Sequence, residues 1–187
     1  MCGRYFIEIS DEELLEIIAE AERNQTGRYE APLFLGGDIF PSAIVPVVTN
    51  TGARFMKWGF PNLAPDRPPL INAKSETAHT LRTFSDAMMQ RRCLVPATAY
   101  YEWQDVGKKK KDKYEFALPE QGLFYMAGIF APNNDFAILT RQATIEFMPI
   151  HDRMPVIIPR SHAREWLVDS PLIPAQTATN FTMRRVA

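Results

Sequence analysis

The segment CLVPATAYYEW, Cys93–Trp103, decides the fold class because it is the clearest of a series of apolar, strand-like stretches. Its aromatic and β-branched residues are typical of strands. The segment AIVPVVTNTGARFMKWGF, Ala43–Phe60, predicts two more strands around a turn at residues 49–52. Other strand-like segments are KYEFAL (Lys113–Leu118), LFYMAGIF (Leu123–Phe130), FAILT (Phe136–Thr140) and MPVIIP (Met154–Pro159).

Helices are fewer than strands in this pattern. The clearest is SDEELLEIIAEAER, Ser10–Arg23, where Ser10 and Glu13 form a capping box and the apolar residues share one face. Parts of residues 75–90 and 161–168 are also predicted to be helical. Because strands and helices do not alternate regularly, we predict an α+β fold. Residues 1–187 would form one domain of mixed or antiparallel, barrel-like sheets with a few peripheral helices.

The amino-acid composition indicates the class of protein and its cellular compartment. Of the 187 residues, 46% are hydrophobic and 23% are charged, which is ordinary for a globular domain. No apolar run approaches the roughly 18 residues of a membrane span, and the first residues lack the apolar core of a signal peptide. With only two cysteines, Cys2 and Cys93, and no secretion signal, we expect a cytoplasmic protein that needs no disulfide. We also expect a monomer. The cysteines and histidines lack zinc-ligand spacing, so neither a metal site nor a cofactor is predicted.

The net charge of −1 argues against a general nucleic-acid binder, but the charge is unevenly distributed. Residues 1–30 contain eight acidic and three basic side chains, so the remainder carries 18 basic and 14 acidic ones. An acidic helix can therefore coexist with a basic face elsewhere on the surface.

Three polar residues stand where a core does not favour them. Asn72 follows an apolar pair, Glu102 lies inside the aromatic run AYYEW, and His151 stands at the mouth of a strand. An ionised carboxylate in an apolar run is costly unless it is paired or functional. Each residue also has a structural interpretation: a turn or helix-cap residue, a solvent-facing strand residue, and a hydrogen-bonded core histidine.

Cys2 directly follows the first methionine. Methionine is normally removed when the next side chain is small, and the chain would then begin with an α-amine and a thiol on adjacent carbons. These two nucleophiles can act on one aldehyde, because the amine condenses to a Schiff base and the thiol closes a five-membered thiazolidine. The alternative is a cysteine that is merely buried at the start of a strand.

Four segments in this order resemble the SOS-response-associated peptidase (SRAP) family: MCGR at the start, INAKSET (Ile71–Thr77), RRCLVPATAYYEW (Arg91–Trp103) and IHDRMPVII (Ile150–Ile158). The resemblance covers residue 2 to about residue 166. It implies a protein that binds single-stranded DNA at abasic sites and becomes covalently attached through Cys2, the nucleophile. An abasic deoxyribose supplies the aldehyde in its ring-opened form.

The resemblance also implies roles for other residues. Asn72 would hold and polarise the sugar, Glu102 would move protons at the amine or sugar, and His151 would assist ring opening or bind the sugar hydroxyl and phosphate. Four basic residues match positions that contact the DNA backbone in the family: Arg4, Lys74, Arg82 and Arg153. Such contacts position the strand without reading its sequence.

This chain departs from the family pattern in three places near the expected DNA surface. Lys74 replaces an arginine and so loses a bidentate fork. Asp38 replaces a frequent asparagine, and the loop PNLAP (Pro61–Pro65) lacks the usual tryptophan. Because this loop lacks the tryptophan, we expect a weaker preference for junctions between single- and double-stranded DNA than a typical family member shows.

Two other functions are compatible with the same residues. One is a cysteine peptidase, hence a hydrolase, in which Cys2 cleaves its own leading methionine or another peptide. The other is a non-catalytic module that binds single-stranded DNA. The resemblance favours the first function, an abasic-site processing enzyme of the hydrolase or lyase class with Cys2 as its nucleophile.

Overall fold

The computed structural model describes residues 2–24, 35–64, 66–107, 109–119, 122–169 and 180–186, which form two sheets with short helices beside them. The strands are β1 (Tyr5–Ile7), β2 (Gly37–Ile39), β3 (Ile44–Thr49), β4 (Gly52–Trp58), β5 (Asn72–Lys74), β6 (Arg92–Ala97), β7 (Ala99–Gln104), β8 (Asp112–Ala117), β9 (Phe124–Phe130), β10 (Asp135–Gln142), β11 (Arg153–Pro155), β12 (Ile157–Ile158) and β13 (Thr182–Arg185). The α-helices are α1 (Glu12–Arg23), α2 (Ser75–Ala78) and α3 (Ser85–Gln90). A 3-10 turn covers Arg160–His162 and a π-helical turn covers Glu165–Asp169.

The larger sheet closes on itself. Strand β10 pairs with β4 on one side and with β9 on the other, so β10, β4, β3, β6 and β9 form a ring of paired strands. The pairings of β10 with β4 and β5 are parallel, whereas its pairings with β9 and β11 are antiparallel. The predicted α+β fold with mixed sheets is confirmed.

The segment Cys93–Trp103 belongs to both sheets because the chain leaves one and enters the other at Thr98. Strand β6 pairs with β3 and β9 in the ring, and β7 pairs with β1 and β8 in the second sheet. The Thr98 N–H donates to the carbonyl of Phe6 at 2.9 Å, and its Oγ1 accepts the N–H of Glu8 at 3.0 Å. The sequence pattern did not predict this break, because threonine is itself a good strand residue.

In the second sheet, the N-terminal segment lies beside strands from the middle of the chain. Its strand order is β13-β8-β7-β1-β2, and its neighbouring strands in the described ranges pair antiparallel. Tyr5 on β1 lies opposite Tyr100 on β7. Residues just before β1 therefore lie beside β7, on which Glu102 is found.

Helix α1 was predicted with the right core face and the wrong cap. Asp11 is the N-cap, because its Oδ1 accepts the N–H of Glu13 at 3.0 Å, so the predicted capping box with Ser10 is wrong. Leu14, Ile17 and Ala21 are buried, and helices α2 and α3 confirm helical structure within residues 75–90. No helix in the described ranges is long and apolar enough to cross a membrane.

Candidate functional site

Cys2 is held in the interior, immediately before β1. Its side chain is 0% exposed. The Nδ2 group of Asn72, the first residue of β5, donates a hydrogen bond to the carbonyl oxygen of Cys2 at 2.8 Å. The Cys2 thiol donates a long contact of 3.8 Å to the carbonyl of Arg4. Burial raises the pKa of the thiol far above its ordinary value, so Cys2 is a thiol rather than a thiolate in this environment.

Glu102 is the buried carboxyl of this region. It lies on β7 and is 2% exposed. Burial raises its pKa to about 7, and the negative charge of Asp152 acts in the same direction. The charge of Glu102 is, after burial, the second cause of the raised pKa of Cys2, so the two side chains lie within electrostatic reach of each other. A carboxyl group with a pKa near 7 can both accept and donate a proton at neutral pH.

His151 lies beside Glu102, and its side chain is 28% exposed. Its Nε2 is 4.0 Å from Oε2 of Glu102. Its Nδ1 is 3.0 Å from the backbone nitrogen of Arg153 and 2.9 Å from Oδ1 of the exposed Asp152. The Arg153 N–H donates to Nδ1, whereas the Asp152 carboxylate, 2.9 Å from the same atom, can only accept, so the two contacts favour different protonation states of Nδ1. Burial lowers the pKa of His151, which favours the neutral form of the ring.

The four predicted site residues, distant in sequence, form one connected group. Asn72 binds Cys2, Cys2 is electrostatically coupled to Glu102, and Glu102 is next to His151. Cys2 and Glu102 are buried, whereas Asn72 and His151 are partly exposed, so the group meets solvent at these two residues. From the sequence we also predict a surface cleft that has Cys2 on its floor and is lined by Asn72, Glu102 and His151, and this stays a prediction. The same prediction places the Met1–Cys2 peptide in the cleft, but residue 1 lies outside the described residues.

Two of the four predicted DNA-contacting cations already have acidic partners. The Arg4 guanidinium is 2.7 Å from the Asp38 carboxylate and lies over the Phe40 ring at 4.3 Å from its centroid. Asp38 was singled out in the sequence as an acid near the expected DNA surface. Its ion pair with Arg4 means that an incoming phosphate would compete with a carboxylate for the same guanidinium.

Arg153 makes more hydrogen bonds than Arg4 does. Its guanidinium donates to both carboxylate oxygens of Glu76 at 2.8 Å, and it donates to the carbonyl of Thr140 at 2.6 Å. Only 13% of the Arg153 side chain is exposed. The hydrogen bonds from Arg153 are the main reason why the pKa of Glu76 falls to about 2. Because the Arg153 backbone N–H also donates to Nδ1 of His151, the ion pair with Glu76 helps to hold the histidine in position.

The other two cations are on the surface. Lys74 ends β5 and Arg82 follows α2; both are exposed, and neither has an ion-pair partner within the described ranges. Lys74 and Arg153 lie on strands that both pair with β10. Lys74 and Arg82 are therefore the members of the predicted set that are available for a phosphate.

Sequence reasoning missed three residues at this site. Glu76 lies in the segment INAKSET, yet nothing in the pattern indicated that it would meet Arg153, 77 residues away. Tyr5 and Tyr100 read as ordinary core aromatics, but their buried hydroxyls have no hydrogen-bond partner in the described part of the chain. No group of three His, Cys, Asp or Glu residues arranged for a metal ion occurs within the same ranges.

The raised pKa of Glu102 predicts how stability depends on pH. The folded protein holds the Glu102 proton more tightly than the unfolded chain does, so the stabilisation is complete below the ordinary pKa of 4.5 and is lost as the pH rises through about 7. We expect Glu102→Gln to gain stability over the wild type by up to about 3 kcal/mol between pH 4.5 and pH 8. Urea unfolding across this range measures it. If the stability difference between Glu102→Gln and the wild type were the same at pH 4.5 and at pH 8, the inference that Glu102 is a buried carboxyl with a raised pKa would be wrong.

Comparison with known proteins agrees with the sequence resemblance. A family model described as SOS response associated peptidase (SRAP) matches residues 1–185. The chain is 29% identical to the abasic site processing protein YedK of Escherichia coli (strain K12), over 89% of this chain and 79% of that protein. It is 28% identical to the abasic site processing protein YoaM of Bacillus subtilis (strain 168), with the same coverage of each chain.

Solved structures share the fold. A protein from Bacteroides thetaiotaomicron has a TM-score of 0.74 at 20% identity, covering all of this chain and 92% of that one. A protein from Bordetella bronchiseptica has a TM-score of 0.73 at 22% identity, covering both chains completely. A phage-related protein from the same organism has a TM-score of 0.72 at 25% identity, covering 99% of this chain and 94% of that one.

Proposed function

Because this chain belongs to the SOS response associated peptidase (SRAP) family, we propose that it processes abasic sites in DNA, the activity named in its curated relatives. In this proposal the protein binds single-stranded DNA and forms a covalent thiazolidine between Cys2 and the ring-opened abasic sugar. The observation that carries the proposal is the convergence of Cys2, Asn72, Glu102 and His151, which only the fold brings together.

The chemistry proceeds in two balanced steps once Cys2 is the first residue. The α-amine, with an ordinary pKa of about 8, attacks C1′ of the open sugar and releases water, which leaves a Schiff base. The thiol then adds across the C=N bond: sulfur bonds to C1′, and the sulfur proton ends on nitrogen. No redox partner is needed.

The buried groups suit the proton transfers in these steps. Glu102, with a pKa of about 7, can take a proton from the amine or thiol and return it to nitrogen or to the departing water. Neutral His151, which is partly exposed, would assist ring opening. The Asn72 amide fixes the main chain of Cys2 and so orients both of its nucleophiles.

One gel tests the function. The protein is mixed with single-stranded DNA that carries one abasic site and is then boiled in detergent. A band shifted by the mass of the protein supports the proposal, and intact DNA without an abasic site serves as the control. A complex seen only before boiling would favour a non-catalytic binding module. Cleavage of a peptide, including the leading methionine, without DNA attachment would favour the peptidase in the family's name.

The exposed cations predict how strongly DNA binding depends on salt. We expect Lys74→Gln with Arg82→Gln to lower affinity for single-stranded DNA and to reduce the slope of log K against log salt by about 1.4, since each phosphate contact contributes about 0.7. The matched control is Lys109→Gln with Lys110→Gln, two exposed lysines between β7 and β8. Fluorescence anisotropy over a salt series measures both. If Lys109→Gln with Lys110→Gln lowered the affinity more than Lys74→Gln with Arg82→Gln did, the DNA-binding surface would lie at the loop between β7 and β8 instead.

A further inference from the structure

The His151 ring lies between a buried carboxyl group, that of Glu102, and an exposed one, that of Asp152. Oε2 of Glu102 is 4.0 Å from Nε2 of the ring, and Oδ1 of Asp152 is 2.9 Å from Nδ1. The side chains of Glu102, His151 and Asp152 are 3%, 28% and 82% exposed, respectively. Exposure therefore rises along this row of three groups, from the interior of the protein to solvent.

Nδ1 of His151 has two partners of opposite kind. The backbone N–H of Arg153, 3.0 Å away, is a donor, whereas the Asp152 carboxylate is an acceptor. When Nδ1 carries the proton of the neutral ring, it can donate to Asp152, and Nε2 then faces Glu102 as a base. When Nε2 carries that proton, Nδ1 can accept the Arg153 N–H. Each neutral tautomer of the ring thus has a partner already in place.

The proposed thiazolidine chemistry releases a proton at neutral pH. An α-amine with an ordinary pKa of about 8 is mostly ammonium at pH 7, and it must lose a proton before it attacks the aldehyde. The overall change converts ammonium, thiol and aldehyde into a neutral thiazolidine, water and one proton. Because Cys2 and Glu102 are both buried, this proton is released in the interior and needs a path to solvent.

We propose that Asp152 is a positioning residue that lets His151 carry this proton from Glu102 to solvent. The inference rests on the proposed thiazolidine chemistry and adds one residue to it. The Glu102 carboxylate takes the proton from the ammonium and passes it to Nε2. Nδ1 passes its own proton to the Asp152 carboxylate, which releases it to water. Nδ1 then accepts the Arg153 N–H, so its two partners serve the states before and after the transfer.

The two ends of this path differ in how closely they are already in contact. The 2.9 Å between Nδ1 and Asp152 is a hydrogen-bonding distance, and a bond to a carboxylate is stronger than one between neutral groups. The resting ring should therefore carry its proton on Nδ1. The 4.0 Å between Nε2 and Glu102 exceeds the range of about 2.6–3.2 Å for proton transfer. Such contacts are often long before the substrate binds and shorten in the reacting complex.

The charges around the ring favour its neutral form. Glu102 and Asp152 face the two ring nitrogens, and the positive charge of Lys111 also acts on the ring. Burial is the main reason why the pKa of His151 is lowered; Lys111 acts in the same direction and Asp152 opposes it. The Arg153 guanidinium is held in an ion pair of its own. A neutral ring that gains a proton at Nε2 as it loses one at Nδ1 does not need to hold a full positive charge.

Asp152→Asn tests the proposal in single-turnover gels with abasic single-stranded DNA. The amide keeps the shape of the side chain but cannot take up a proton, and its NH₂ group can donate to Nδ1, which would hold the ring proton on Nε2. We expect the heat-stable adduct to form about tenfold more slowly at pH 7, less than the usual loss of an acid–base group because water also reaches this position. An unchanged rate would overturn the proposal.

Chemical rescue distinguishes a defect in proton transfer from a defect in structure. Acetate or imidazole, added at constant pH and ionic strength, can accept the proton in place of the missing carboxylate. Either compound should restore most of the lost rate in Asp152→Asn and leave the wild-type rate unchanged. If neither compound accelerated the variant, Asp152 would act by another route and the proposal would be wrong.

The matched control is Glu146→Gln. Glu146 is an exposed carboxylate in the segment before His151, and its Oε2 lies 3.5 Å from Oγ1 of Thr144. The replacement removes the same charge without touching the imidazole, so the rate should equal that of the wild type. An equal loss in Glu146→Gln and Asp152→Asn would point to overall charge and contradict the proposal. If the wild type itself formed no adduct, the proposed function would fail; a normal wild type with an unaffected Asp152→Asn would overturn only the role of Asp152.

The position of the ring proton can also be measured without DNA. The chain has three histidines, so the ¹⁵N shifts of their ring nitrogens can be separated, and His151→Ala identifies the signals of His151. At pH 8, where the ring is neutral, the wild type should show the tautomer with the proton on Nδ1. Asp152→Asn should show the tautomer with the proton on Nε2. The same tautomer in both proteins would mean that Asp152 does not place the proton, and the proposal would fall.

Discussion

Cys2→Ala should give no heat-stable adduct with abasic single-stranded DNA, while its DNA affinity stays within a few-fold of the wild type. The thiazolidine needs sulfur and nitrogen on adjacent carbons, and alanine retains only the amine. The phosphate contacts are assigned to other side chains, so binding should survive. Boiled gels measure the adduct, and anisotropy measures the affinity.

Cys93→Ala is the matched control for this experiment. Cys93 is also fully buried and unpaired, but it lies on β6 in the ring of strands, where its carbonyl accepts the Trp166 Nε1–H at 2.9 Å. Its removal should leave adduct formation intact. Acetylating the α-amine while keeping the Cys2 thiol should also prevent the stable product. A heat-stable adduct of undiminished yield in Cys2→Ala would rule out the thiazolidine.

Glu102→Gln and His151→Ala should each slow adduct formation by roughly one to four orders of magnitude, the range usual for a lost acid–base group. Glutamine keeps the shape of the Glu102 side chain but cannot shuttle a proton. Because the pKa of Glu102 is about 7, wild-type rates should change between pH 6 and pH 8, and this change should be weaker in Glu102→Gln. Single-turnover gels at several pH values measure both effects.

Glu115→Gln is the control for Glu102→Gln. Glu115 lies on β8, the neighbouring strand, and pairs with Arg184 at 2.8 Å. Its replacement should leave the rate unchanged. If Glu102→Gln and His151→Ala both crosslink at the wild-type rate, these residues are structural and the assigned site is wrong.

The strands and helix α1 could be predicted because their signals are local. The turn at residues 49–52 and the apolar face of α1 follow from residues within a few positions of each other. The break at Thr98 could not be predicted, because it depends on hydrogen bonds to Phe6 and Glu8, some 90 residues away. The cap at Asp11 was missed because Ser10 offered an equally good local pattern.

The site was predicted only in part, because no local sequence pattern connects its residues. No periodicity joins residues 2, 72, 102 and 151; the resemblance to a family named them, and the fold then brought them together. The pairing of Arg153 with Glu76 depends on how α2 meets β11, which no local pattern specifies. The unsatisfied hydroxyls of Tyr5 and Tyr100 were hidden because a tyrosine in an aromatic run reads as core whether or not its oxygen is bonded.

The burial of Cys2 limits when, during translation, the free N-terminal amine of the proposed reaction could be produced. Strand β1 cannot pair with β7 until residue 100 has been synthesised, which takes roughly 5 to 20 s at ribosomal speeds. Until then β7 cannot enclose Cys2, and the removal of residue 1 that the proposed thiazolidine requires would have to occur in this interval. Once β7 has formed, Cys2 is enclosed and held by Asn72. The rate of chain elongation and the rate at which residue 1 is removed would thus set the fraction of molecules whose N-terminus can react.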